Sequence, residues 1–194
     1  MNILTDDMLV VRYSEGDNKA FDELLARYQS KLFNYIYFIV RSQELAEDLF
    51  QETFVKAITT IQQGRYTAAG KFGAWLTRIA HNLIIDGYRQ ERNENTISND
   101  ETEMDLLNDA DLCDDNVEVQ MVNEQTLRDV RRLVDALPDN QREVVYMRFY
   151  QDLSFKEIAE ITGVSINTAL GRMRYALLNM RRIAEEKHIV LEMY

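Results

Sequence analysis

Apolar residues recur at steps of three and four along most of this chain, with polar residues between them. Phe21, Leu24, Leu25, Tyr28, Leu32 and Tyr35 keep that step and predict a long amphipathic helix over about 18–40. A shorter helix is predicted at about 5–14, closed by Gly16 and Asp17. Leu45, Leu49, Phe50, Phe54, Ile58 and Ile61 predict the buried side of a third helix, about 43–62, with Ser42 as its N-cap. After a loop between Gly64 and Gly70, Phe72, Leu76, Ile79, Leu83 and Ile84 predict a fourth helix at about 71–91. Helical spacing returns from about Val117 through Val119, Val122, Leu127, Val130, Leu133, Val134 and Leu137. Pro138 fits the first turn of the following helix, because its missing N–H costs little there, and that helix runs to about Tyr150. Ser154 and Glu157 form a capping box for a short helix ending near Ile161. Gly163 permits a tight turn, and Ser165 caps a last helix to about Ala184. No segment alternates with period two, so the expected class is all-α.

One stretch breaks the pattern. Residues 92–116 are dense in Asp, Glu and Asn, with scattered apolar residues and no period, which predicts a flexible acidic linker. The expected organisation is two small helical domains, 1–91 and 117–194, joined by that tether. Hydrophobic residues make up 46% of the chain, enough for real cores. A single cysteine excludes an internal disulfide, and Cys113, His81 and His188 are too few for a structural zinc site. Apolar runs are too short to span a bilayer, and the acidic N-terminus lacks the basic region of a signal peptide. The expectation is a soluble cytoplasmic protein with no membrane insertion, no metal and no cofactor. Nor is an enzyme expected, since no nucleophile–base pattern or phosphate-cradling glycine loop is visible. The linker carboxylates lack the turn glycine of a calcium loop.

The formal charge of −11 argues at first against nucleic acid, but its distribution reverses the argument. Residues 1–90 carry a net −1, residues 91–124 a net −11 and residues 125–194 a net +1. A partner feels the local patch rather than the total, so DNA binding by either end stays open.

Two segments then carry candidate chemistry. LSFKEIAEITGVSINTALGRMRYAL has helix-turn-helix anatomy: inward Ile158, small Ala159, turn Gly163 and apolar Val164, followed by a helix burying Ile166, Ala169, Met173, Ala176 and Met180. The opposite side presents Asn167, Thr168, Gly171, Arg172, Arg174 and Tyr175. Residues 165–182 hold four Arg and no acid, as a helix reading phosphates and base edges requires. A helical hairpin with solvated Arg residues is the plainer alternative. In the fourth helix, Lys71, Trp75, Arg78, Asn82 and Arg89 share one stripe, interrupted by Ile85. Basic and amide groups beside an aromatic ring suit opened DNA, although Trp75 could equally serve the core. On the third helix, Glu47, Asp48, Gln51 and Glu52 crowd a polar side beside Phe54 and Val55, which suits a basic protein partner or plain solvent.

Together these segments resemble the extracytoplasmic-function (ECF) sigma factors, the smallest class of the sigma-70 family. AEDLFQETFVKAI is similar to their region 2.2, KFGAWLTRIAHNLIIDGYRQ to regions 2.3–2.4, and LPDNQREVVYMRFYQDLSFKEIAEITGVS with Thr168 and Arg172 to region 4. The resemblance implies that Asp48, Gln51, Glu52 and Phe54 dock on the β′ clamp helices of core RNA polymerase. It implies that Lys71, Trp75, Arg78, Asn82 and Arg89 lie along the −10 promoter element, with an unstacked base captured near residues 62–71. It implies that Ser165, Asn167, Thr168, Gly171, Arg172, Arg174 and Tyr175 meet the −35 element, with region 4 also touching the β flap. The acidic linker would thread the RNA exit path as an RNA mimic, an anti-sigma factor would regulate the protein, and the free chain would be monomeric. One departure stands out: Ala169, Leu170 and Gly171 replace the Val, basic residue and Ser common in the family. That departure supports an alternative, a sigma-like decoy that binds an anti-sigma factor without directing transcription. An ordinary dimeric repressor would leave residues 43–91 unexplained.

Overall fold

The computed structural model describes residues 4–67, 70–95 and 121–189. Among these, all regular structure is helical: α1 (Asp6–Ser14), α2 (Asn18–Val40), α3 (Gln43–Gln62), α4 (Phe72–Asn95), α5 (Met121–Asp135), α6 (Asp139–Phe149), α7 (Phe155–Thr162) and α8 (Ile166–Glu186). The acidic linker expected at 92–116 lies outside the described residues beyond Asn95. The helices form two compact units, one with α1–α4 and the other with α5, α6, α8 and the start of α7, whose last residues, 160–162, group with the first.

Local chemistry sets the helix starts. Thr5 Oγ1 accepts the Met8 N–H at 3.3 Å, Asp17 accepts the Lys19 N–H at 3.1 Å and Ser42 Oγ accepts the Leu45 N–H at 3.4 Å. The capping box ahead of α7 is reciprocal: the Ser154 N–H donates to Glu157 Oε2 at 2.9 Å and the Glu157 N–H donates to Ser154 Oγ at 3.3 Å. Gly163 follows α7 with φ +68°, and Ser165 Oγ accepts the Thr168 N–H at 3.0 Å to open α8. Two boundaries differ from the sequence expectation. Pro138 is the N-cap of α6 rather than a residue of its first turn, since its ψ of 145° is extended. Helix α4 continues past 91 to Asn95, because no Gly or Pro interrupts Gln90–Asn95.

In the first unit, α2 packs against α1, α3 and α4. Its core is built from Leu9, Leu24, Leu32, Tyr35, Ile36, Ile61, Phe72 and Leu76, all essentially inaccessible. Leu45, expected inside, is instead exposed in the first turn of α3. Where α4 packs on α2, Gly73 makes room for a ring of α2: a Cβ there would lie 2.8 Å from Tyr28 Cε1. The Tyr28 ring cannot swing aside freely, because it packs on Phe72 at 5.3 Å and its hydroxyl donates to Asp6. Gly73→Ala is therefore expected to cost about 1–2 kcal/mol net, overpacking outweighing the gain in helix propensity. Thermal denaturation would show a melting temperature several degrees lower; an unchanged value would mean that the ring yields.

In the second unit, α6 and α5 pack against α8 over Leu133, Val144, Met147, Ala169 and Ala176. Arg142 is buried at the junction of α5 and α6, where its guanidinium donates to the Asp135 carbonyl at 3.1 Å and to the Asp139 carboxylate. Ile166 was expected to face inward, yet it is exposed. As the first residue of α8 it precedes the point where the helix meets the core, and Ala169 is the first fully buried position.

Candidate nucleic-acid and protein interfaces

Three surfaces carry the residues singled out by the sequence. The first is the outer side of α4. Trp75, Arg78, Asn82 and Arg89 follow one another at helical steps along one stripe, with Lys71 just ahead of the helix. Arg78, Asn82, Arg89 and Lys71 are exposed. Trp75 is half-buried: its ring meets Tyr66 edge-on at 4.6 Å and Phe72 at 5.6 Å. The core and surface readings of Trp75 thus combine, one part of the indole seated on the core and the rest open to solvent. Arg89 pairs with Asp86 at 3.3 Å, but both side chains are largely solvated, so the pair is weak and easily exchanged for a phosphate. Arg78 has no acidic partner among the described residues.

The segment entering α4 is tied down by α1. Asp7 Oδ2 accepts the Gly70 N–H at 2.8 Å. Burial, together with the charges of Asp7 and Asp6, pushes the Tyr66 hydroxyl up to about 12, so it stays a neutral donor at physiological pH. The Tyr28 hydroxyl is raised further, by burial first and by its bond to Asp6 second. Ala68 and Ala69 lie outside the described residues.

The second surface is the acidic side of α3. Asp48, Gln51 and Glu52 are exposed there, and Glu52 pairs with Lys56 at 3.1 Å. Phe54 does not join them. It is buried, packed on Phe50 at 5.0 Å and Phe21 at 6.1 Å. Helical geometry explains the correction: Phe54 is turned roughly 100° from the centre of the face formed by positions 48, 51, 52 and 55. Val55, highly exposed, is the apolar residue on that face. The spacing of 48, 51, 52 and 55 could have identified it, had Phe54 been left to the core stripe.

The third surface is the outer side of α8. Ser165 is engaged as the N-cap, its Oγ also 2.8 Å from Thr168 Oγ1. Asn167, Thr168, Arg174 and Tyr175 are exposed, and Arg172 is half-buried. Gly171 sits on the same side with open space beyond it. Arg172 and Arg174 are two residues apart and so project roughly 160° from each other. They cannot share one base; they flank the exposed face on opposite sides. Neither has an ion-pair partner among the described residues. Beside this face, exposed Leu170, Leu177 and Leu178 line a shallow groove with Met173, Arg174 and Arg181, an apolar strip that the sequence reading did not isolate. Among the described residues no cluster of His, Cys, Asp and Glu could hold a metal, and no helix is long and apolar enough to cross a membrane.

Comparison with known proteins adds a common thread. Two family patterns match the chain, Sigma-70 region 2 over residues 24–94 and Sigma-70, region 4 over residues 127–178. The chain is 36% identical over 156 residues to the ECF RNA polymerase sigma factor BldN of Streptomyces coelicolor, covering 80% of this chain and 56% of that protein. It is 32% identical over 192 residues to the ECF RNA polymerase sigma-E factor of Haemophilus influenzae, covering 95% of each. Its fold is similar to that of the sigma factor RpoE from Bartonella quintana, solved in complex with the anti-sigma factor NepR, with a TM-score of 0.64 at 22% identity over 86% of this chain and 98% of that one.

Proposed function

The chain belongs to the sigma-70 family, in its extracytoplasmic-function class, and from this we infer that it is a promoter-specificity subunit that joins core RNA polymerase, reads two promoter elements and starts transcription. The observation that supports this best is the pairing, on separate compact units, of an exposed aromatic–basic stripe on α4 with an acid-free recognition face on α8.

Residues 1–91 would form the unit that binds core polymerase and the −10 element, residues 117–194 the unit that binds the −35 element, and 92–116 the acidic connection. On α3, Asp48, Gln51 and Glu52 would meet a basic surface on the β′ clamp helices, with Val55 supplying the apolar contact. On α4, Trp75 would receive an unstacked base while Lys71, Arg78 and Arg89 hold phosphates and Asn82 meets a base or sugar. The energy lost when a base leaves the stack is then recovered on the protein, which favours an open duplex. On α8, Asn167, Thr168 and Tyr175 would face the major groove of the −35 duplex, with Arg172 and Arg174 on its two walls and Ser165 fixing the helix start. The β flap would contact the same unit. Neither unit has a large positive charge, so free DNA should bind weakly, and specificity arises when core polymerase fixes the spacing of both units. Any bond chemistry belongs to the polymerase. The protein would work in the cytoplasm as a monomer restrained by an anti-sigma factor.

Run-off transcription with sigma-free core polymerase on a genomic fragment library tests this. Discrete new start sites with shared −35 and −10 sequences are expected. A folded protein that gives no transcripts and does not bind core would be the decoy. The division of labour has its own test: Asp48→Ala and Gln51→Ala are each expected to weaken core binding about 3- to 10-fold, in the range of single interface truncations. Binding of the same full-length variants to −35 duplex DNA should not change. Equal losses in both assays would refute the assignment.

A further inference from the structure

Helix α1 precedes the residues matched by the sigma-70 region 2 pattern, which begins at 24. It nevertheless reaches the segment that carries the −10 stripe. Two consecutive carboxylates in its first turn take different tasks. Asp6 accepts from the Tyr28 hydroxyl and from Arg27, and so fixes the ring that lies under Phe72 and Gly73. Asp7 reaches the loop itself. Its Oδ2 accepts the Gly70 N–H, immediately before Lys71, and the Lys71 carbonyl in turn accepts the Trp75 N–H at 3.0 Å. Its charge also acts on Tyr66, whose ring stands against Trp75. Asp7 thus bears on both ends of the loop that frames the indole.

The second oxygen of Asp7 makes this arrangement unusual. Oδ1 is buried and has no hydrogen-bond partner. A buried acceptor left unpaired is costly, and native structures retain few of them without a reason. Asp7 lies in the first turn of α1, just after the Thr5 N-cap, where the helix dipole favours an acidic side chain. Tethering one loop is the return visible for that cost.

We propose that Asp7 is a positioning residue for promoter opening: α1 uses it to latch the α3–α4 loop, so that Tyr66 and Trp75 are held ready for an unstacked base. Asp7 itself touches no DNA. This inference rests on the α4 stripe being the −10 interface.

The test uses holoenzyme assembled from the full chain and core polymerase, on a promoter found by run-off transcription. 2-Aminopurine in the non-template strand of the −10 element reports unstacking. Asp7→Ala is expected to reduce open-complex formation about tenfold with core affinity unchanged, the scale of losing one hydrogen bond to a charged group. Asp7→Asn keeps an acceptor for Gly70 and is expected to stay within about threefold of the parent. Hydrogen exchange in the unmutated protein reads the latch without any substitution, and also covers the case in which Asp7→Ala does not fold: the Gly70 amide should be protected. Normal opening by Asp7→Ala, an equal loss of core binding, failure of Asp7→Asn to rescue, or unprotected exchange at Gly70 would each overturn the proposal. If the unmutated protein directs no transcription, it is the functional reading that fails instead.

Discussion

Alanine at both Arg172 and Arg174 is expected to lower run-off transcription from a −35-dependent promoter by about 30- to 20,000-fold, with core affinity within about twofold of the parent. Each Arg that meets a base edge or phosphate contributes about 1–3 kcal/mol. The two contributions should add nearly fully, because the side chains project to opposite flanks of α8 and share no partner. The single variants separate their roles. An Arg on phosphate weakens all sequences alike and lowers the salt dependence by about one unit of slope; an Arg on a base relaxes preference at one position. An equal loss on templates that carry no −35 element would show that these residues act elsewhere.

Phe72→Ala is expected to be the most destabilising single change in the first unit, at about 3–5 kcal/mol. Phe72 is 1% exposed, and its ring is shared by Tyr28, Tyr66 and Trp75, at 5.3, 5.8 and 5.6 Å. Removing it takes the floor from under Trp75 as well as leaving a cavity. Trp75 is the only tryptophan in the chain, so indole fluorescence follows this unit alone. The urea midpoint should fall by about 1–5 M, and opening of the −10 element should fall with it. A midpoint within about 0.3 M of the parent would mean that the aromatic cluster repacks without cost.

Much of the architecture was legible because helices announce themselves locally. Ser42, Ser154 with Glu157, and Ser165 each mark a helix start by a side chain that caps its own neighbours, and the three-four spacing marks the buried stripe. The exposed sides of α4 and α8 follow from the same spacing. What the apolar step alone leaves open is the fate of an apolar residue at the edge of a stripe, which only the step of the polar face resolves. Phe54 and Val55 are adjacent and both apolar, yet one turns into the aromatic cluster and the other into solvent. Ile166 and Leu45 fail for a related reason: each lies in a first turn, ahead of the point where its helix enters the core. The bond from Asp7 to Gly70 was beyond reach altogether, since 63 residues separate them and no periodicity links a carboxylate to a distant backbone N–H.

Gly171 carries a consequence for how this protein can change over generations. A Cβ added there would meet no atom within 4 Å, and glycine within a helix costs about 1 kcal/mol relative to alanine. An alanine, or another good helix former with room beyond its Cβ, is therefore expected to be accepted by the fold and to raise its stability. The same substitution places a new side chain on the face proposed to read DNA. If that face reads DNA as proposed, a single codon change would redirect promoter choice without a compensating mutation, and a set of controlled genes would stand one step from reassignment.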